Sequence, residues 1–256
     1  MSMARRDAVA ICVICTAAAC ATGLARSQAL RPVDRAAAPL ALIAVPTPHF
    51  RVPRYDTSGS IPQVRGGGLD LRRVNAALRG AVLADQRGFA PDARRGAIGA
   101  AKRYRGIYRT SVDRRFLSAS DAVVSALMPA MKQYPGGSLG KGWLAVTARV
   151  PSGELVTITD LFANPLSGLR VLATAWKARF RRSSPQAWPC IQKHRSAYRP
   201  TATNYRYFAL TPRGLAIGFW QEEACNRLYA TVPYSTLRPY LSKLGSTLVA
   251  GVRPAR

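Results

Sequence analysis

Trp143-Leu-Ala-Val-Thr-Ala-Arg-Val150, Pro151-Ser152-Gly153-Glu154 and Leu155-Val-Thr-Ile-Thr159 follow one another without interruption. The outer stretches are short, rich in β-branched and apolar residues, and have the length and composition of strands. The Pro-Ser-Gly-Glu between them is hairpin turn chemistry. This segment therefore predicts an antiparallel hairpin, and an antiparallel hairpin decides the fold class once helices are found on either side of it.

Further strands are predicted at Tyr104–Val112, at Tyr207–Thr211 and Leu215–Trp220 around the turn Pro212-Arg213-Gly214, and at Leu228–Val232. Helical spacing appears in Asp70–Gln86, where Leu71, Val74, Ala77, Leu78, Ala81 and Val82 share a face and Gly88 is the expected stop. It recurs in Leu166–Phe180, with Leu169, Leu172, Ala173, Trp176 and Phe180 on one side. A short C-terminal helix is expected near Ser235–Leu241. Ala122–Lys132 is ambiguous, since its Val and Leu content suits a strand while Ala126, Leu127, Ala130 and Met131 also fit a helix. The expected fold is α+β, a mostly antiparallel sheet with two main helices and a short C-terminal one.

The N-terminus reads as an export signal over residues 1–29. Arg5 and Arg6 precede an apolar run of 17 residues from Ala8 to Leu24, and small-residue cut sites follow before Thr22 and before Leu30. Lipidation at Cys20 and an uncleaved anchor are the alternatives, the run being at the short limit for spanning a bilayer. Few residues precede the run, so no cytosolic domain is expected. Residues 30–60 read as a Pro, Ala and Arg-rich tether with a candidate edge strand at Leu40–Val45, and residues 61–256 as the folded domain. The expected location is secreted or extracellular, with surface tethering as a variant. Cys190 and Cys225 are then the only cysteines of the mature chain, and an oxidising compartment favours their pairing. Closing that loop would stabilise the fold by roughly 4 kcal/mol at most. Two thiols with the separated His49 and His194 make a poor metal set, so no metal is expected.

The formal charge is +26, and about +25 once Arg5, Arg6 and Asp7 are removed. Such a charge attracts polyanions: wall polymers, anionic lipid, and nucleic acid through nonspecific charge. The 32 Arg against 6 Lys, with abundant Ala, is also what codon bias in a GC-rich genome yields. Arg179, Arg181 and Arg182 crowd the end of the second helix, where cations complement the helix dipole and are also candidate ligand contacts. Tyr134, Gly136, Gly137, Ser138 and Gly140 form a loop so short of side chains that a partner can approach closely. Tyr198, Tyr205, Tyr207 and Trp220 interleaved with Arg195, Arg199 and Arg206 fit either a stacking surface or a core. Nothing in the chain has the form of a nucleotide loop, catalytic triad or metal motif, so neither cofactor nor catalytic residue is expected. Asp121 and Asp160 read as cap or turn residues. The adjacent Glu222 and Glu223 would carry the alternative of an atypical envelope hydrolase.

Several strings occur together in order. Ile61-Pro62-Gln63-Val64 precedes the Asn75-containing helix; Tyr134-Pro-Gly-Gly-Ser-Leu-Gly140 follows; then come Gly153-Glu-Leu-Val-Thr-Ile-Thr-Asp-Leu-Phe162, Phe208-Ala-Leu-Thr-Pro-Arg-Gly-Leu-Ala-Ile-Gly-Phe219 and Val232-Pro-Tyr-Ser-Thr-Leu-Arg-Pro-Tyr-Leu241. Over Ile61–Leu244 the chain resembles the extracellular domain shared by RsiV-like proteins and the secreted immunogenic antigens of mycobacteria. The resemblance implies an α+β, non-catalytic binding module. RsiV-type members bind lysozyme and release a sigma factor, which needs a cytosolic domain, so no sigma factor is expected as a partner here. Ser138 and Leu139 stand where the family string has Ala and His. A cationic domain would also repel a cationic lysozyme. The expected partner is an unidentified protein or an anionic envelope ligand.

Overall fold

The computed structural model describes residues 40–52, 55–66, 69–96, 106–135, 139–219 and 228–252. Its centre is a long antiparallel pair, Val123–Gln133 (β7) and Leu139–Arg149 (β8), in register from Val123 opposite Arg149 to Gln133 opposite Leu139. The ambiguous Ala122–Lys132 segment is thus strand. Its residues 123–130 are all buried, and with both faces covered the one-sided signature that separates strand from helix is lost.

The two faces of this pair meet different partners. Val124, Ala126, Met128, Leu144 and Val146 pack with Val74, Leu78 and Val82 of the first helix, Arg72–Gly96 (α1). Leu127 and Trp143 face the opposite way, onto Phe116, Ala209 and Ala216. Those two alanines belong to a second, three-stranded sheet of Phe208–Thr211 (β9), Gly214–Phe219 (β10) and Leu228–Val232 (β11), ordered β11-β10-β9. The outer face of that sheet carries Phe208, Leu210, Leu215, Ile217 and Phe219 against the second long helix, Pro165–Ser183 (α2). The result is four layers: helix, sheet, sheet, helix. Close contact between the sheets requires Gly218, where a Cβ would run into the Trp143 ring. Polar ties cross the same junction: Leu210 N donates to Ser125 Oγ (2.8 Å), and Trp143 Nε1 donates to the Leu228 carbonyl (3.1 Å).

The antiparallel α+β architecture is as expected, with differences in its parts. Residues 41–58 contribute three strands and not one: Ala41–Pro46 (β1), Phe50–Val52 (β2) and Tyr55–Ser58 (β3). β1 pairs with Ser60–Arg65 (β4), while β3 pairs in parallel with Gly106–Thr110 (β5), which joins β7; Leu117–Ala119 (β6) also pairs with β7. The hairpin predicted at Leu155–Thr159 closes with a single bridge, Ala148 to Leu155, and the chain then enters a 3-10 turn at Thr159–Leu161. The Asp160 carboxylate accepts from both the Thr157 amide and the Thr157 hydroxyl, each at 2.7 Å, which withdraws that amide from any ladder. Helix α1 runs through Gly88 and Pro91 to Gly96. Tertiary packing overrides the glycine, because Phe89 is buried against Tyr108 and Tyr134 at 5.7 and 5.2 Å.

Helix α2 matches its prediction closely. The Asn164 side chain accepts from Ser167 N (3.1 Å), Pro165 opens the first turn, and Trp176 stacks with Phe180 and Tyr198 at 5.0 and 5.6 Å. A short helix, Trp188–Lys193 (α3), follows it. The C-terminal helix is Tyr234–Leu237 (α4), extended by a 3-10 turn at Arg238–Tyr240, and a further helix, Lys243–Gly251 (α5), follows with Ser242 as its cap. No helix among the described residues is long and apolar enough to cross a membrane.

Candidate functional site

The C-terminal end of α2 forms one wall of a groove of about 530 Å³, contributing Arg179, Ser183 and Ser184; the turn between β9 and β10 adds Arg213, and β11 adds Tyr229 and Thr231. Among the described residues no carboxylate lines it. Arg179 and Arg213 are exposed and have no ion-pair partner among the described residues. The groove thus brings together two guanidiniums, each able to hold a carboxylate or phosphate in a two-pronged hydrogen bond, and side-chain hydroxyls that accept or donate. Tyr229 is 38% exposed. Its ring sits edge-on against Phe116 (4.9 Å) and Trp143 (5.5 Å), on the face of the sheet away from α2.

Of the three arginines singled out in the sequence, only Arg179 enters this groove. The Arg181 guanidinium lies 5.8 Å from the Trp188 ring centre, and Arg182 is exposed. Arg213 and Tyr229 were not picked out by sequence reasoning. Arg213 stood inside a turn motif read only for its bend, and Tyr229 reads as an ordinary strand residue until the register of β10 with β11 is known.

The glycine loop is placed elsewhere. Tyr134 packs against Phe89, and Gly140 is buried in β8 opposite Lys132. Gly136, Gly137 and Ser138 lie outside the described residues. Beside Tyr134's end of β7 sits a half-buried polar cluster: Asp85 accepts from the Tyr108 hydroxyl and from Lys132 Nζ, both at 2.7 Å. Burial, reinforced by the Asp85 charge, pushes the Tyr108 phenol far above its ordinary range. The cluster ties α1 to β5 and β7.

The interleaved aromatics resolve as core: Tyr198 and Tyr205 are fully buried, both against Phe219. Tyr207 is half-buried under the Arg206 guanidinium at 4.6 Å, and Trp220 lies outside the described residues. Asp160 is the turn residue expected, and Asp121 is exposed. Cys20, the signal region, Glu222, Glu223 and Cys225 also fall outside the description; Cys190 lies in α3 with its side chain undescribed. His49 pairs with Asp56 at 2.7 Å and His194 is exposed, and among the described residues no three potential metal ligands cluster.

No family profile and no curated protein matches the chain in sequence. Solved structures do match in shape. A member of the DUF3298 family from Bacteroides fragilis aligns with a TM-score of 0.50 at 10% identity, over 84% of this chain and 97% of its own. A DUF3298 family protein from Pseudomonas aeruginosa aligns with a TM-score of 0.46 at 12% identity, over 81% and 95%. The first likeness shows a shared fold.

Proposed function

We propose that this chain is an exported, non-catalytic binding module of the RsiV-like and mycobacterial-antigen type, and that its basic groove holds an anionic polymer of the cell envelope. The carrying observation is the groove itself, where Arg179 and Arg213 stand exposed with no ion-pair partner among the described residues. A formal charge of +26 supplies long-range attraction. The two guanidiniums supply local contacts that suit an acidic sugar or phosphate-bearing chain.

The test is retention of the purified protein on uronate-rich and phosphate-rich wall polymers over a salt series. Binding should weaken steeply with salt, and Arg179→Gln with Arg213→Gln should cut affinity by about tenfold or more and flatten the salt slope. Arg181→Gln with Arg182→Gln should have a smaller effect. Equal effects from the two pairs would show that the charge acts as a diffuse surface and the groove as nothing special. Turnover of a wall polymer, abolished by one replacement, would overturn the non-catalytic reading.

A further inference from the structure

One wall of the basic groove is made of backbone. Four consecutive residues of β11, Leu228, Tyr229, Ala230 and Thr231, line it. The side chains of Leu228 and Ala230 are buried in the core beneath α2, while that of Tyr229 points to the opposite face of the sheet. A groove touched by successive residues whose side chains diverge runs along the edge of the strand and not over a face. Among the described residues β11 is the outermost strand of its sheet, and the last turns of α2 stand across the groove from it.

The register fixes which groups of that edge are free. Gly218 N donates to the Tyr207 carbonyl at 2.8 Å, so Gly218 turns its backbone toward β9, and Leu215, Ile217 and Phe219 turn theirs toward β11. Their opposite residues, Val232, Ala230 and Leu228, are bonded within the sheet. Tyr229 and Thr231 therefore direct their N–H and C=O groups outward, about 7 Å apart along the strand. No backbone hydrogen bond among the described residues reaches these groups. Tyr229 is exposed and Thr231 half-buried, so the edge is open. β11 also lacks the devices that keep an edge strand from pairing: it has no charge, no proline and no break in register.

Two donors and two acceptors at that repeat match the backbone of an extended peptide; neither a glycan nor a phosphodiester repeats such a pair. Addition of a strand to an open sheet edge is a general mode of peptide recognition. Pro233 ends β11 and opens α4, so the edge takes a segment of only about five residues. A second copy of this chain is a poor occupant, because each copy carries a formal charge of +26 and their groove arginines would meet. We infer, on the reading that this groove is the binding site, that the envelope polymer is held through a short peptide branch bearing carboxylates, which adds to β11 as a fourth strand. Arg213 adjoins Gly214, near the Val232 end of the edge, and Arg179 stands across the groove; these two meet the carboxylates.

The test uses bacterial wall glycan with its peptide branches intact and after an amidase has removed them. It also uses the pentapeptide acetyl-Glu-Ala-Glu-Ala-Glu-amide beside a form N-methylated at every residue, which keeps the charge and loses the backbone donors. Removing the branches should abolish the retention that depends on Arg179 and Arg213, and the methylated peptide should bind about tenfold more weakly or worse. Thr231→Pro deletes one outward N–H without touching the ladder to β10, and should weaken the parent peptide by about tenfold while circular dichroism and melting temperature show an intact fold. The methylated peptide gives the same reading on the unaltered protein. Equal binding of the two peptides would overturn strand addition, and so would a dimer of the free protein that Thr231→Pro dissociates, since the edge would then belong to a second copy. Retention that survives the amidase and still falls with Arg179→Gln and Arg213→Gln would overturn the peptide assignment and leave the polymer reading standing. Absence of retention on either glycan and on every other wall polymer would overturn both.

Discussion

Asp85 is the residue on which the junction of α1 with the main sheet depends. It accepts a hydrogen bond from Tyr108 and an ion pair from Lys132, with Asp85 24% and Lys132 17% exposed at the side chain. Removing Asp85 takes from Tyr108 and Lys132, both largely buried, the acceptor they share, which costs more than the intact cluster contributes. Asp85→Ala is expected to destabilise the protein by about 2 kcal/mol, below the figure for fully buried pairs because of the residual exposure. Replacing Asp85 with Leu and Lys132 with Met together should recover part of the loss; urea unfolding measures both. The cluster was illegible in the sequence, since its members are separated by 23 and 47 residues. An Asp in a basic helix carries no signal of either partner. Asn75 is a similar case: its side chain accepts from Val64 N (2.8 Å) and donates to Val64 O (3.0 Å), so it extends the edge of β4 by one side chain.

At the scale of elements, the informative disagreement is the end of α1. Gly88 reads as a stop because glycine is the commonest residue just beyond a helix. In the structure it lies inside the helix, and a Cβ placed on it meets nothing within 4 Å. Gly88→Ala should therefore stabilise the protein by up to about 1 kcal/mol, through the higher helix propensity of alanine. A loss of stability in thermal or urea unfolding would restore the helix end to Gly88. Helix α2 behaves differently: cap, first-turn proline and apolar stripe all agree with its packing, so local and tertiary preferences coincide there. Strands β9 and β10 were likewise readable, their turn needing a left-handed residue that Gly214 provides at φ +140°.

At the scale of the whole molecule, two quantities join the parts. Tyr108 and Tyr205 are held protonated above the ordinary phenol value, mainly by burial. Above pH of about 10 the unfolded chain loses those protons while the folded chain keeps them, so the unfolded state binds fewer protons and stability falls as pH rises. The stability these groups contribute is fully present below that pH. Urea midpoints should therefore hold steady from neutral pH and decline above about 10, with a smaller decline in Tyr205→Phe. The second is the proposed export signal. Intact-mass analysis of protein recovered from culture medium should give a start at Thr22 or Leu30; a diacylglyceryl mass at Cys20 would indicate a lipoprotein, and recovery only as full-length membrane protein would reject cleavage.

Taken alone, the sequence determined the α+β class, the positions of α2, β9, β10 and β11, and the strongly basic surface, because these depend on short-range periodicity, turn chemistry and summed charge. Tertiary structure decided the strand identity of β7, the continuation of α1 past Gly88, the collapse of the second predicted hairpin strand onto Asp160, and the pairing of Arg179 with Arg213 and Tyr229 around one groove. The physical reason is common to all four. Each depends on what lies across a face or an end of the element, and burial or hydrogen bonding with residues brought together by the fold outweighs local preferences worth only about 1 kcal/mol.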